Sequence, residues 1–284
     1  MKPLPLFEPE RLSEASFQQI ALWLYQQTGI TLTSQKKMLV SGRLLHRVRS
    51  LRLASYEDYF KRVQADQAEA QLAINLLTTN ETYFFREEAH FALLRSLVVE
   101  KALPANLRVW SAACATGEEP YSIALILANL LGLPGSWQVD ASDINTDVLA
   151  WAMKGIYPLA RSSRIPSEML RQFCLKGHGK DEGFFCIDQP VRNKINFQHW
   201  NLLIPKEGAA QYDLIFLRNV LIYFDHGVKR KVLSHLCRQL KTGGFLFIGH
   251  AESIHGLHSQ LEVVQPGCYR RKVQHGNGLN RPVE

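Results

Sequence analysis

The chain has 284 residues, 46% of them hydrophobic, and carries 33 Lys+Arg against 26 Asp+Glu for a formal charge of +7. That length accommodates one large domain and a small one, and the positive excess favours an anionic partner without naming it. No apolar run reaches the roughly 18 residues of a membrane span, and the first residues lack the apolar segment of a secretory leader, so a cytoplasmic location is expected. The five cysteines are scattered without a Cys-x-x-Cys pair, which argues against a disulfide framework and a zinc site alike.

Residues 1–92 read as a helical N-terminal domain with its linker. Phe17, Ile20, Ala21, Leu24 and Tyr25 recur at helical spacing up to a stop at Gly29. A second helix is expected from Ser34 to about Leu51, with Val40, Leu44, Val48 and Leu51 on its apolar face. Between Ser34 and Arg52 stand Lys36, Lys37, Arg43, Arg47, Arg49 and Arg52 with no acid among them. Lys36, Arg43 and Arg47 share a face. That face is either simply solvated or a docking surface for something acidic. Helices over 56–63 and 67–77 follow. Next comes the loop Thr78-Thr-Asn-Glu-Thr-Tyr-Phe-Phe-Arg86, and then a helix starting near Glu87. Asn80, Thr82 and Arg86 read as caps and surface groups, or, for an arginine placed just before an α/β unit, as a trap for a carboxylate or phosphate.

From Leu107 strands alternate with helices, the mark of a doubly wound, mainly parallel sheet. The first strand, 107–112, turns through Thr116 and Gly117 into an apolar helix, 121–131, with Pro120 expected at the first helical position. Small residues and a glycine at such a turn let backbone approach a ligand closely; a tight turn without a ligand is the plainer reading. A strand over 137–143 ends on Asp143, 26 residues past Gly117, where dinucleotide folds and their adenosyl-binding relatives place an acid on ribose hydroxyls. A helix capped near Asn145 runs to Lys154. After a helix over 166–173, the glycine-rich stretch 176–183 between short apolar runs reads as an inserted antiparallel β-subdomain, about 174–192. Strands over 195–200 and 212–217 end on Asn201 and Arg218-Asn219. A helix over 227–240, a strand over 245–249 and a last strand near 261–270 complete a domain spanning 93–272. The polar tail 273–284 is expected to be disordered. The carboxyl ends of the parallel strands therefore gather 114–117, Asp143, Asn201, Arg218 and Asn219 at one crevice, where open α/β sheets bind ligands.

Four segments together resemble the CheR-type chemotaxis receptor methyltransferases: Thr79-Asn-Glu-Thr-Tyr-Phe-Phe-Arg86, the run Val109–Ser122 containing Thr-Gly-Glu-Glu-Pro-Tyr-Ser, Ala141-Ser-Asp-Ile-Asn-Thr146, and Phe216-Leu-Arg-Asn-Val-Leu-Ile-Tyr-Phe-Asp225. The resemblance implies a Rossmann-like S-adenosylmethionine-dependent methyltransferase domain, a small all-helical N-terminal domain and an inserted antiparallel β-subdomain. It implies protein-glutamate O-methyltransferase activity on chemoreceptors, giving γ-glutamyl methyl esters for sensory adaptation, with S-adenosylhomocysteine as product. Residue by residue it implies cofactor contacts from Asn80, Thr82, Arg86, Gly117, Glu118 rather than Glu119, Asp143 on the ribose, Asn201 with Leu202 near adenine, and Arg218 with Asn219. Arg86 is the candidate to hold the methionine carboxylate of the cofactor or to attract the substrate carboxylate, and Tyr223 reads either as lining the methyl-transfer channel or as a packed aromatic. The basic helix acquires a partner, the glutamate-rich cytoplasmic helical bundle of the receptors, met by Lys36, Arg43 and Arg47. The glycine-rich insertion suits a receptor C-terminal peptide.

A carboxylate nucleophile, with its reference pKa about 4.3, is ionised at neutral pH and requires no general base. No Ser/His/Asp or Cys/His arrangement is therefore needed. A nucleic-acid methyltransferase is the competing enzyme class, but 217–223 lacks the Asn/Asp-Pro-Pro-Tyr signature expected of base-amino methylation. A cofactor-sensing scaffold on the same fold is the non-catalytic alternative. Metal binding by His250, Glu252, His255 and His258 is disfavoured because their spacing fits no familiar zinc pattern.

Overall fold

The computed structural model of the chain describes residues 8–207 and 211–273. The N-terminal unit is built from α1 (Glu14–Thr28), α2 (Lys37–Ser50), α3 (Tyr56–Ala65) and α4 (Gln67–Leu77). Each boundary has a local cause. Ser13, Ser55 and Asp66 accept backbone N–H groups of the first turns of α1, α3 and α4, and α1 stops where Gly29 turns left-handed at φ 75°. Ser34–Lys36 is a 3-10 turn leading into α2 rather than its first α-turn. Phe17, Ile20, Leu24, Val40, Leu44, Val48, Tyr59 and Phe60 form the core of this unit.

After α5 (Glu88–Val99) the alternation begins: β1 (Leu107–Ala112), α6 (Glu118–Leu131), β2 (Trp137–Asp143), α7 (Thr146–Lys154) and β3 (Ile156–Pro158). It continues through α8 (Ser167–Phe173), β4 (Cys174–Lys176), β5 (Phe184–Ile187), α9 (Gln189–Arg192), β6 (Ile195–His199), β7 (Tyr212–Leu217), α10 (His226–Gln239), β8 (Leu240–Ile248), β9 (Leu261–Gln265) and β10 (Cys268–Arg271). Seven strands form one sheet in the order β6-β2-β1-β7-β8-β10-β9. The first five run parallel, and β10 and β9 close the far side antiparallel. Strand order reverses at β1, with β2 on one flank and β7 on the other, which opens a crevice at the strands' carboxyl ends. β1 and β7 are buried along nearly their whole length, as strands covered on both faces must be.

Several expectations shift. Helix α6 starts at Glu118, so Pro120 is its third residue, still within the first turn, where N–H groups have no intrahelical partner. The 241–244 segment does not precede its strand but lies within β8, whose pairing with β7 is irregular between Tyr212 and Leu214. The last strand is two, folded back at Pro266-Gly267, with Gly267 at φ 76°. The expected hairpin gains a third strand, giving the antiparallel order β3-β5-β4. Of the tail expected to be disordered, 274–284 lies outside the described residues.

Gly117 is required by packing rather than by a ligand. A Cβ there would stand 2.8 Å from the Ala152 Cβ and 2.9 Å from the Tyr157 hydroxyl, at φ 94°. Replacement by alanine therefore carries both a clash and a left-handed penalty. The expected outcome for Gly117→Ala is a loss of about 2–3 kcal/mol in urea unfolding. Gly179→Ala, at φ 60° but in open space, costs about 1 kcal/mol.

Candidate active site at the carboxyl edge of the sheet

The helical unit is fastened across the crevice by polar ties. Asn145 caps α7 and donates to Asn75 O (3.0 Å) and Thr78 Oγ1 (2.8 Å), while Asn75 Nδ2 donates to Thr146 Oγ1 at 2.8 Å. On the other flank Asn201 Nδ2 donates to Gln27 O (2.7 Å), Tyr25 OH to Asp225 Oδ2 (2.7 Å) and Thr31 N to Tyr223 O (2.9 Å). Because these groups are satisfied only when the helices sit here, the roof is positioned by bonds of defined geometry. Beneath it lies a cleft, open at its mouth.

Asn80, Thr82, Arg86, Asp143, Asn201, Leu202, Arg218, Asn219 and Tyr223 all line this cleft, as do Lys36 and Arg43. Ala113, Cys114 and Ala115 form its floor, with Ala113 and Ala115 in left-handed backbone (φ 63° and 48°). Asp143 Oδ2 accepts from Ala115 N (2.8 Å) and Oδ1 from Asn145 N (2.9 Å). Burial pushes its carboxyl above the ordinary value while these amides pull it back. Gly117 lies apart, packed on Ala152 and Tyr157 as described.

Of the two glutamates, Glu119 lines the cleft and Glu118 is not among its lining residues. Glu118 is fully buried and turned away from the cleft, where it holds Arg161 and accepts from Thr116 Oγ1 (2.6 Å). Glu119 is the one that lines the cleft, between Ser111 Oγ (2.7 Å) and Arg218 Nη1 (3.1 Å). One residue on a helix is a 100° turn, and Arg161 in the insertion decides which glutamate faces which way.

Sequence reasoning missed Glu87. It sits at φ 58° as the residue before α5, with Phe85 also left-handed at φ 55°, so the two strained residues bracket Arg86. Glu87 Oε2 holds Arg218 Nη2 (3.1 Å) and Oε1 accepts from Asn219 Nδ2 (3.0 Å). Burial pushes the Glu87 carboxyl up, but the Asn219 hydrogen bond and the Arg218 charge outweigh it and hold it below the usual value. Arg218 also donates to the Arg86 carbonyl, and its Nε has no partner although buried. Glu252, equally unforeseen, accepts from the amides of Asn219 (2.9 Å), Gly249 (2.7 Å) and Ile222 (3.2 Å), fixing the loop after β7 to the loop after β8. The signal available was position alone: Glu87 follows Arg86 and Glu252 follows the fifth parallel strand. Arg86 itself donates to Glu81 O (2.7 Å) and has no acidic partner among the described residues.

The basic face of α2 is corrected in part. Arg47 makes a two-pronged pair with Glu69 (2.9 and 2.6 Å), a carboxylate only 3% exposed. Arg43 is spent on the carbonyls of Leu77 (2.6 Å) and Thr78 (3.0 Å) and on Thr79 Oγ1 (2.9 Å), which fixes the start of the cleft-lining loop. Lys37 and Arg49 pair with Glu14 and Glu8. Of the three expected docking cations, Arg47 is ion-paired and Arg43 is hydrogen-bonded to backbone, while Lys36 is exposed at the cleft. The weighed metal set also dissolves: His250 gathers with Glu87 and His90, not with Glu252, His255 and His258.

A doubly wound sheet whose switch-point crevice carries an acid after β2 and small-residue backbone after β1 is the scaffold of adenosyl-cofactor enzymes. Residues 80–269 match the family described as CheR methyltransferase, SAM binding domain, and residues 15–78 match CheR methyltransferase, all-alpha domain. The chain is 42% identical to the chemotaxis protein methyltransferase of Salmonella typhimurium over 250 residues, covering 87% of this chain and 86% of that protein. It is 40% identical to chemotaxis protein methyltransferase 2 of Pseudomonas aeruginosa (93% and 96% covered) and 41% identical to the chemotaxis protein methyltransferase of Escherichia coli (88% and 88%). The chain belongs to the CheR methyltransferase family and is an S-adenosylmethionine-dependent methyltransferase.

Two substitutions separate structural from docking cations. Arg47→Ala leaves buried Glu69 with only its longer ion pair to Arg62 (3.9 Å) and is expected to lower unfolding free energy by about 2 kcal/mol, whereas Lys36→Ala changes it by less than about 0.5 kcal/mol. The Arg47 hydrogen bond lowers the Glu69 pKa. The pair's contribution is therefore complete above the unfolded carboxylate value and fades as pH falls through the lower folded one. Urea melts of both variants at neutral and acid pH check this.

Proposed function

We infer that this enzyme transfers the methyl group of S-adenosylmethionine to glutamate side chains in the cytoplasmic helical bundle of chemoreceptors, producing γ-glutamyl methyl esters. The observation that carries the reading is the cleft itself, where Arg86, Asp143 and the Arg218-Asn219 pair converge from three separate segments. The cleft's donors and acceptors fit the cofactor. Asp143 stands where ribose hydroxyls would donate, and Asn201 with Leu202 lies where adenine would rest. Arg86, lacking an acidic partner among the described residues, lines the cleft, so a carboxylate finds a donor there. Asn80 and Thr82 on the cleft-lining loop supply further polar contacts, and Glu119 rather than Glu118 faces the ligand. When bound, the cofactor supplies an electrophilic sulfonium methyl.

The protein's own task is to align and to exclude water. The substrate glutamate is already a carboxylate, so no residue has to remove a proton, and in-line positioning alone can supply roughly 7–11 kcal/mol. Arg86 orients carboxylate groups and Tyr223, half-buried on the cleft wall, packs beside the reacting atoms. The helical roof limits solvent access, which strengthens each electrostatic contact. Lys36, exposed in the 3-10 turn before α2, meets the acidic helices of the receptor at the mouth. On the insertion, β4 is an edge of its three-stranded sheet with Leu175 exposed. An extended receptor C-terminal peptide would add there as a fourth strand. No helix among the described residues is long and apolar enough to cross a membrane, in keeping with work at the cytoplasmic face of the receptors.

The test is transfer of tritiated methyl to receptor-containing membranes, followed by alkaline release of methanol. Wild-type enzyme is expected to give base-labile label, with kcat/KM flat between about pH 6 and 8 because the nucleophile titrates near 4.3. Arg86→Ala is expected to lower kcat/KM by about 10²-fold. Label that survives alkali, or that appears on nucleic acid, contradicts the reading.

A further inference from the structure

Beside the cleft, Glu87, His90 and His250 each offer a ligating atom, all within 4.8 Å of one another. His90, on the first turn of α5, is 0% exposed, yet neither of its ring nitrogens has a hydrogen-bond partner. Buried polar groups are almost always paired, so this imidazole lacks something. Its Nδ1 lies 3.4 Å from Glu87 Oε2, and its ring centroid is 4.5 Å from that of His250. On the opposite side, Gly267 gives it room: a Cβ there would stand 2.7 Å from His90 Nε2.

We propose that Glu87, His90 and His250 form a binding site for a divalent transition-metal ion of the zinc type. Tetrahedral zinc, with nitrogen and oxygen ligands at about 2.0–2.2 Å, separates its ligand atoms by about 3.4 Å. The Glu87–His90 pair already has that spacing. His250 is exposed and its backbone N–H is 3.2 Å from Glu87 Oε2, so a rotation of its side chain alone closes the set. Two imidazoles and one carboxylate favour zinc over magnesium or calcium and leave a fourth position for water. Charge agrees. Glu87 and Glu119 share one guanidinium, that of Arg218, so the nest has an excess of carboxylate that a dication offsets. The ion would tie the start of α5 to the loop after β8. Through Glu87 it would also steady Arg218 and Asn219 on the cleft wall.

The full chain, stripped with a chelator and dialysed, is titrated with Zn2+ by calorimetry and with Co2+ under visible absorption. Expected are one saturable equivalent, a tetrahedral Co2+ spectrum and a rise in Tm with Zn2+. His250→Ala, a change at an exposed side chain, is expected to weaken Zn2+ binding by at least tenfold and abolish the Tm rise, and His90→Gln to do the same. Absence of a saturable equivalent in the wild-type chain overturns the proposal. So does binding undiminished in His250→Ala, which would put the ion on the cysteines or on other histidines.

Discussion

A buried guanidinium organises this molecule. Arg218, at the end of β7, is held by Glu87 from the start of α5 and by Glu119 from the first turn of α6, and it donates to the carbonyl of Arg86. Three segments are thus fixed around one charge. A buried charge costs several kcal/mol unless paired and hydrogen-bonded, so this arrangement is specific in geometry even where its net stabilisation is small. The strained backbone of Phe85 and Glu87 is the local consequence: those residues take left-handed conformations so that Arg86 faces the cleft while Glu87 faces Arg218.

The same logic explains how a helical unit and a Rossmann-like domain make one cleft. The roof is attached by side-chain amides and hydroxyls, Asn75 with Asn145 and Thr146 on one flank and Asn201 with the end of α1 on the other. An apolar interface would have tolerated sliding. Directional bonds do not, and methyl transfer to a carboxylate depends on alignment rather than on proton traffic.

Much of the fold was legible in the sequence because short strand-like runs bounded by turn residues alternate with helical stretches: 107–112, 137–143 and 212–217 coincide with β1, β2 and β7. The errors have physical causes. Lys241-Thr-Gly-Gly244 has turn chemistry, yet it lies inside β8 where pairing with β7 is irregular. Asp143, Arg218 and Asn219 were readable because strand ends in this topology point to one crevice. Glu118 and Glu119 were not separable, since the residue that settles them, Arg161, lies 43 positions away. The basic face of α2 looked uncompensated only because Glu69, which neutralises Arg47, is 22 positions downstream.

The account stands or falls on the adenosyl cofactor occupying the cleft over Asp143 and against Arg218. Calorimetric titration of the folded chain with S-adenosylhomocysteine tests it most directly, with Asp143→Ala in parallel. One equivalent bound by the wild-type chain, weakened at least tenfold in the variant while its fold is retained, is the predicted result. No binding to the wild-type chain, or equal affinity in both, would contradict the central claim.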